Sequence, residues 1–451
     1  MKKIVNSLLC LAAITSANAM DTDVEKFNWN GIEVVWLKDN RYPTYNINIY
    51  FADGALSDQS HKGETRFMFS LIDAGTRRFS QKDIAENLDF YGVSYGGDVN
   101  HEYSTFKISG LVKDIDPTMR KICHLFADAT FPKVELDNLV KKSKNEARNL
   151  SSNHSALASN AFREISLDGS PYSYPVDGKL KDWDRLNSKA LKDKLNYFNK
   201  DVLKRIYLSG PKDVLSIKRI INEDCGWTGE AKKVREITYK PVQSSGIEVT
   251  LVTVPNANQA QIRMGRFLNK GEFEKRASLA LSGHYLGGGF TSRLMRELRT
   301  NRGLVYSVAA YSGGQKDYGR SVISTFTKNE NVMELLNVVE TTLKDVKTTM
   351  DNESFDFVQN SLAGSDPFRF EKTSSYLNEL MFMDHLGRPY SDVYNLQSQI
   401  LKTSKEEVAN TTEQIFNWNE QSIVIVGDKS LAKDLKKKFK NVKVVSFKNF
   451  L

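Results

Sequence analysis

No two of the six histidines in this chain stand three to five residues apart. That spacing is how one helix face presents paired imidazoles to a metal, so a two-histidine helical site is excluded. The three cysteines include no C-x-x-C, which removes zinc-ribbon and thioredoxin-like chemistry. No glycine cluster runs into Gly-Lys-Ser/Thr, so the chain carries no P-loop. After the first twenty residues no run approaches the ~20 apolar residues that span a bilayer, and no integral membrane segment is expected. The net charge of +8 is spread along the chain. Nucleic-acid binding would need those charges clustered, and no nucleic-acid partner is expected.

What is present begins with MKKIVNSLLCLAAITSANAM, in which Lys2 and Lys3 precede an apolar run that ends in Ala17-Asn18-Ala19. Residues 1–19 read as a cleavable export signal, which predicts a periplasmic or secreted protein. The remaining cysteines, Cys123 and Cys225, leave two readings. A disulfide suits an oxidising compartment, while buried free thiols are the plainer expectation, and the sequence leaves both open.

The mature length exceeds one core and calls for two domains. Gly31-Ile32-Glu33-Val34-Val35 recurs as Gly246-Ile247-Glu248-Val249-Thr250, Pro171-Tyr172-Ser173 as Pro389-Tyr390-Ser391, and the strand-like run ending at Gly210 as that ending at Gly427. The three offsets lie within three residues of one another, which marks a duplicated domain. The expected units are 20–227 and 246–451, joined by a polar linker at 228–245. Alternating runs (Ile32 to Lys38, Thr44 to Phe51, Ile247 to Val254, Gln259 to Phe267) precede helical patterns in both halves. The expected class is α+β, each half a mainly antiparallel sheet with helices on one face. Ser80 with Asp83 forms a capping box, and Gly92 is placed to end the helix that follows.

The densest stretch is LGGGFTSRLMRELRTNRGLVYS, Leu286 to Ser307. Phe290, Leu294 and Leu298 recur at helical spacing, Gly303 stops the helix, and Leu304 onward reads as a strand. Arg293, Arg296 and Arg302 are expected to be ordinary surface or structural charge. Arg299 on the last turn and Tyr306 beyond Gly303 are placed to converge, and such a pair can clamp a peptide carbonyl or the oxyanion formed from it. The first half supplies a control: Tyr95 matches Tyr306, but Leu88 stands where Arg299 would be.

This Arg–Tyr spacing behind a glycine-rich helix start, with the duplication, resembles the pitrilysin/insulinase family of zinc metallopeptidases, which includes mitochondrial processing peptidase. The resemblance implies that each two-domain chain is half of a clamshell. It also implies an H-x-x-E-H helix in the first domain and a third ligand, a Glu, about 75 residues later. Gly63-Glu64-Thr65-Arg66-Phe67-Met68-Phe69-Ser70 stands there instead. Arg66 and Ser70 hold the histidine positions and Phe69 the catalytic Glu position; Glu146 falls near the third ligand and reads as a relic on a solvated face. His61 lies close by, in a loop. No zinc is expected in this chain.

The resemblance then implies the non-catalytic partner of a two-chain peptidase. A homologous H-x-x-E-H subunit would supply the zinc, and Arg299 and Tyr306 would hold an extended peptide. A substrate-side strand is expected near Gly96 to Asn100, with Gly97 and Asn100 as contacts. The rival reading is a metal-free binding or scaffold protein. An independent serine hydrolase is not expected, because no acid–base pair accompanies a serine.

Overall fold

The computed structural model describes residues 24–229, 237–240 and 246–451; the expected signal (1–19) and parts of the expected linker (230–236 and 241–245) lie outside these. Each half folds about a six-stranded sheet. The first contains β1 (Val24–Trp29), β2 (Ile32–Lys38), β3 (Thr44–Phe51), β4 (Ser94–Val99), β5 (Ser104–Leu111) and β6 (Lys204–Gly210), in the order β1-β2-β6-β3-β5-β4. The second contains β7 (Glu248–Thr253), β8 (Gln259–Leu268), β9 (Val308–Gly314), β10 (Gly319–Lys328), β11 (Ser422–Gly427) and β12 (Val442–Ser446), in the order β12-β7-β11-β8-β10-β9. The order 2-6-3-5-4 thus repeats as 7-11-8-10-9, as the recurring segments require. Only the outermost strands differ, β1 running antiparallel to β2 and β12 parallel to β7. The sheets are mixed, because β2 with β6 and β7 with β11 are also parallel.

Strand alternation explains the layers. Along β3, Tyr45, Ile47, Ile49 and Phe51 point into one core and Tyr50 into another. The first core is covered by helices of the same half. The second is covered from the opposite half: helix Thr373–Leu386 lays Tyr376, Leu377, Leu380 and Met381 on Val35, Leu37 and Tyr207. Reciprocally, helix His154–Ser166 lays Leu157, Ala158, Ala161 and Phe162 on Val252, Val322, Val424 and Val426 of the second sheet. Helices on one face, the sequence expectation, therefore describes only what each half supplies for itself. Val34 and Val35 are both fully buried, so a sheet covered on one face would leave half its apolar residues wet.

The seam between the halves is polar at its centre. His385 Nε2 lies 2.9 Å from Glu102 Oε2 and His385 Nδ1 lies 3.0 Å from Tyr50 Oη. Tyr172 donates to the other Glu102 oxygen. The His385 and Glu102 side chains are only 4% and 7% exposed, beside a cavity of about 310 Å³, and this shielded network ties one half to the other.

Cys123 and Cys225 form a disulfide, which corrects the free-thiol expectation. Helix Ile115–Asp128 packs against helix Ile217–Glu223. Two thiols far apart in sequence are thereby placed side by side. The Ser80–Asp83 capping box forms at helix Gln81–Phe90, and Gly92 follows in the left-handed region at φ +61°.

Candidate functional site

The chain after Ser292 is α-helical only over Arg293–Met295 and widens to a π-turn over Arg296–Thr300. The Asn301 N–H reaches the Arg296 carbonyl at 2.9 Å, and Gly303 (φ +63°) ends the element. Such widened turns are frequent at functional sites because they re-aim one side chain. Leu294 and Leu298 are buried as expected, but Phe290 lies before the helix and is 77% exposed. The expected strand at Leu304 begins only at Val308, so Tyr306 stands on irregular backbone, also exposed.

These two departures assemble the site. The Arg299 guanidinium lies 5.4 Å from the centre of the Phe290 ring and 5.1 Å from that of Tyr306, within cation–π range of both. Among the described residues no carboxylate or carbonyl occupies its N–H donors. Of the neighbouring arginines, Arg293 and Arg302 reach Glu297 at 3.2 and 2.7 Å, whereas the Arg296 Nε is shielded and has no acceptor among the described residues. Burial alone would raise the Glu297 carboxyl, but Arg302 and Arg293 hold it below its ordinary value. Phe290 is the member that sequence reasoning missed. Its helical spacing to Leu294 suggested core, and the available signal was its place after three glycines, where the helix has not begun.

The control in the first half separates by environment. Tyr95, which matches Tyr306 in sequence, opens into β4, is half-buried and donates to Asp73 Oδ2 at 2.8 Å. Of the opening glycines, packing requires two: a Cβ at Gly287 would come within 2.1 Å of the Ala310 nitrogen, so helix Arg276–Gly287 rests directly on β9, and one at Gly288 would come within 2.6 Å of the His284 Cα.

The positions that the family resemblance assigns to the metal motif lie on a helix whose side chains carry other chemistry. Helix Glu64–Ser70 starts after Gly63 (φ +89°). Arg66 lies 3.4 Å from Asp177 and 3.7 Å from Asp98. Phe69 is buried, with ring centroids 5.7, 6.3 and 5.5 Å from Phe51, Phe106 and Phe198. Ser70, Arg66 and Glu146 border one cavity of about 390 Å³. Glu146 is 65% exposed and lies 3.9 Å from Lys142. A guanidinium and a phenyl ring have no lone pair for a metal, so the donor set does not fit zinc. Among the described residues no group of three or more His, Cys, Asp or Glu could hold a metal ion. His61 lies in a loop beside a separate cavity of about 580 Å³, with Glu64 and Lys194.

β4 is the outermost strand of its sheet. Gly97 presses on the motif helix, a Cβ there falling 2.6 Å from that of Phe69. Asn100 is spent on a turn, its N–H donating to the Tyr103 carbonyl at 2.8 Å and its carbonyl accepting from Ala55 at 2.9 Å. Gly92-Val93-Ser94-Tyr95-Gly96 nominally spells G-x-S-x-G. Ser94, however, opens a strand after a helix, the reverse of a nucleophile elbow.

Residues 206–362 match the family described as Peptidase M16 inactive domain. The chain is 23% identical to the "Non-peptidase homolog YmxG" of Helicobacter pylori over 95% of its own length and 99% of that protein's. It is 22% identical to the "Uncharacterized zinc protease YmxG" of Bacillus subtilis, over 86% and 94%. Among solved structures, a peptidase M16 inactive domain from Pseudomonas fluorescens superposes with a TM-score of 0.81 at 19% identity, covering 90% of this chain and 98% of that one. The periplasmic protease PqqL of Escherichia coli superposes at 0.72 and 12% identity, over 91% of this chain and 46% of its own. These likenesses show the shared fold.

Proposed function

From the premise that this chain is an inactive member of the pitrilysin-type peptidase family, we propose that it is the zinc-free, substrate-binding subunit of an exported two-chain metallopeptidase. Its units are 20–227 and 246–451, joined by 228–245, with residues 1–19 as the export signal. The observation that carries the reading is Arg299: a guanidinium held by two exposed rings, with its donors unspent among the described residues, while Arg293 and Arg302 both pair with Glu297. A group so displayed can hold a peptide carbonyl, and Tyr306 adds a hydroxyl donor at the same place. The edge of β4, with Gly97, offers main-chain pairing to an extended segment. The metal belongs to the partner, a homologous subunit with an intact H-x-x-E-H helix. Among the described residues no helix is long and apolar enough to cross a membrane.

A second reading, a binding or scaffold protein without a part in hydrolysis, is favoured by the absorption of Phe69 into the core, which removes the catalytic position altogether. Mixing purified chains separates the two. This chain alone should leave peptides intact, and an H-x-x-E-H homologue should gain chelator-sensitive hydrolysis only when the two are combined. An unchanged rate on mixing would leave the scaffold reading standing. Hydrolysis by this chain alone in excess chelator would overturn both.

A further inference from the structure

We propose that the cavity beside the degenerate motif is a carboxylate-binding site built on Arg163, suited to the free α-carboxylate of a peptide. Helix His154–Ser166 has two occupied faces. Leu157, Ala158, Ala161 and Phe162 meet the second sheet, while Asn160, Arg163 and Glu164 border the cavity of about 390 Å³. The other charges there are matched: Glu164 is held by Lys179 at 2.6 Å, Asp177 by Arg66 at 3.4 Å, and Glu146 lies 3.9 Å from Lys142.

Arg163 is the exception. It has no ion pair or hydrogen bond among the described residues, and its Nε is shielded from water with no acceptor. Arg320, on β10 of the opposite half, lies 5.2 Å from the centre of the Phe162 ring and is in the same condition, its Nε also shielded and unpartnered. Burial holds both guanidiniums below their ordinary value, and Arg163 lowers Arg320 further by repulsion. Two desolvated guanidiniums, neither in contact with a carboxylate, are costly; Glu164 and Asp177 act on Arg163 only from a distance, each being paired with another cation. A carboxylate, planar and able to accept two N–H bonds from one guanidinium, supplies the missing charge in the geometry arginine favours.

The cavity walls favour a peptide over an inorganic anion. Phe67, Leu150 and Trp183 line it beside the charges. The chain's own turn Phe447–Phe450 already packs against this region, with Phe450 at the cavity and the Asn449 carbonyl 3.4 Å from Lys179 Nζ. The site stands independently of any role for Arg299 and Tyr306.

The test is calorimetric titration and thermal melting of the full chain with three probes: a short apolar peptide with a free C-terminus, the same peptide amidated, and inorganic phosphate. The free acid should bind and raise Tm, and the amide should bind at least ~10-fold more weakly. Arg163→Gln should abolish the response while melting no lower than the parent without ligand, because it removes an unpaired charge; Arg163→Lys should keep part of the response. If Arg163→Gln fails to fold, Arg320→Gln carries the comparison, with binding weakened ~3-fold or more. Phosphate binding as tightly as the free acid would overturn the peptide assignment. No response to any probe, or a response unchanged in the variants, would overturn the site.

Discussion

The Arg299 guanidinium lies 5.1 Å from the centre of the Tyr306 ring, seven residues on in sequence and beyond a left-handed glycine. The closeness depends on the π-turn and on the late start of β9, which together leave Tyr306 off the sheet. Phe290, at 5.4 Å, limits the guanidinium's freedom further. Holding a flexible side chain before substrate arrives reduces the entropy lost on binding.

In the proposed two-chain enzyme, Arg299→Ala should cut peptide hydrolysis by ~10²-fold or more, the scale of losing one donor to a developing charge, with assembly intact. Tyr306→Phe should keep the ring contact and lose only the hydroxyl, and Phe290→Ala should weaken binding less than Arg299→Ala does. Gel filtration of each mixture beside its steady-state rate provides the check; unchanged rates for all three variants would remove the clamp.

Placing a glutamate at position 69, where the family resemblance sets the catalytic Glu, should damage the fold. Phe69 touches three other aromatic rings and Gly97, so Phe69→Glu opens a cavity and buries a carboxylate in it. The loss comes chiefly from burying a carboxylate with no partner, beyond the lost ring packing. Urea unfolding of Phe69→Glu against Phe69→Leu would measure it, the leucine variant losing clearly less.

The seam network should be worth more than its exposed counterparts. His385→Ala leaves the Glu102 carboxylate buried with its Tyr172 bond alone, and removing one partner of a buried pair costs roughly 3–5 kcal/mol. By contrast, Lys189→Ala, which breaks an exposed i,i+4 pair with Asp193, should leave the melting temperature essentially unchanged, because water screens the pair. Melting of both variants in the same buffer compares them directly.

The disulfide should be detectable and consequential. Native protein should show no reactive thiol at Cys123 or Cys225, and Cys123→Ser with Cys225→Ser should lose stability of up to about 4–5 kcal/mol, the loop-closure value for a bridge spanning 102 residues. Thiol titration in denaturant before and after reduction, with chemical unfolding, tests both parts.

Alkaline pH should open the molecule. Burial pushes the phenols of Tyr45 and Tyr103 up to about 12, Asp114 adding to the first and Asp98 and Glu102 to the second. The unfolded value is about 10, so the folded state retains protons that the unfolded chain gives up. Their contribution is fully present below pH 10 and is lost as pH rises from there towards 12. Because Tyr103 packs 4.5 Å from the His385 ring, Tm should fall over this window together with the seam. Absorbance at 295 nm and Tm, followed against pH, would report it.

Much of this was legible beforehand where the determinants are local. The capping box at Ser80, the stop at Gly92 and the strand Thr44–Phe51 depend on neighbours within a few residues, and they stand where the sequence places them. Phe290 was misread for the same reason: its period is local, but the helix it would join begins later. The motif loss at Arg66, Phe69 and Ser70 was a matter of side-chain chemistry and needed no coordinates.

By itself, then, the sequence determined the duplication, the absence of paired metal donors and the Arg299–Tyr306 spacing. Only the tertiary structure decided that each half covers the other's sheet, that His385 meets Glu102 across 283 residues, that Cys123 pairs with Cys225, and that the Arg163 and Arg320 side chains find no partner among the described residues. Periodicity records which face of an element is buried but not what buries it, and charge is visible in a sequence whereas its neutralisation is a property of space.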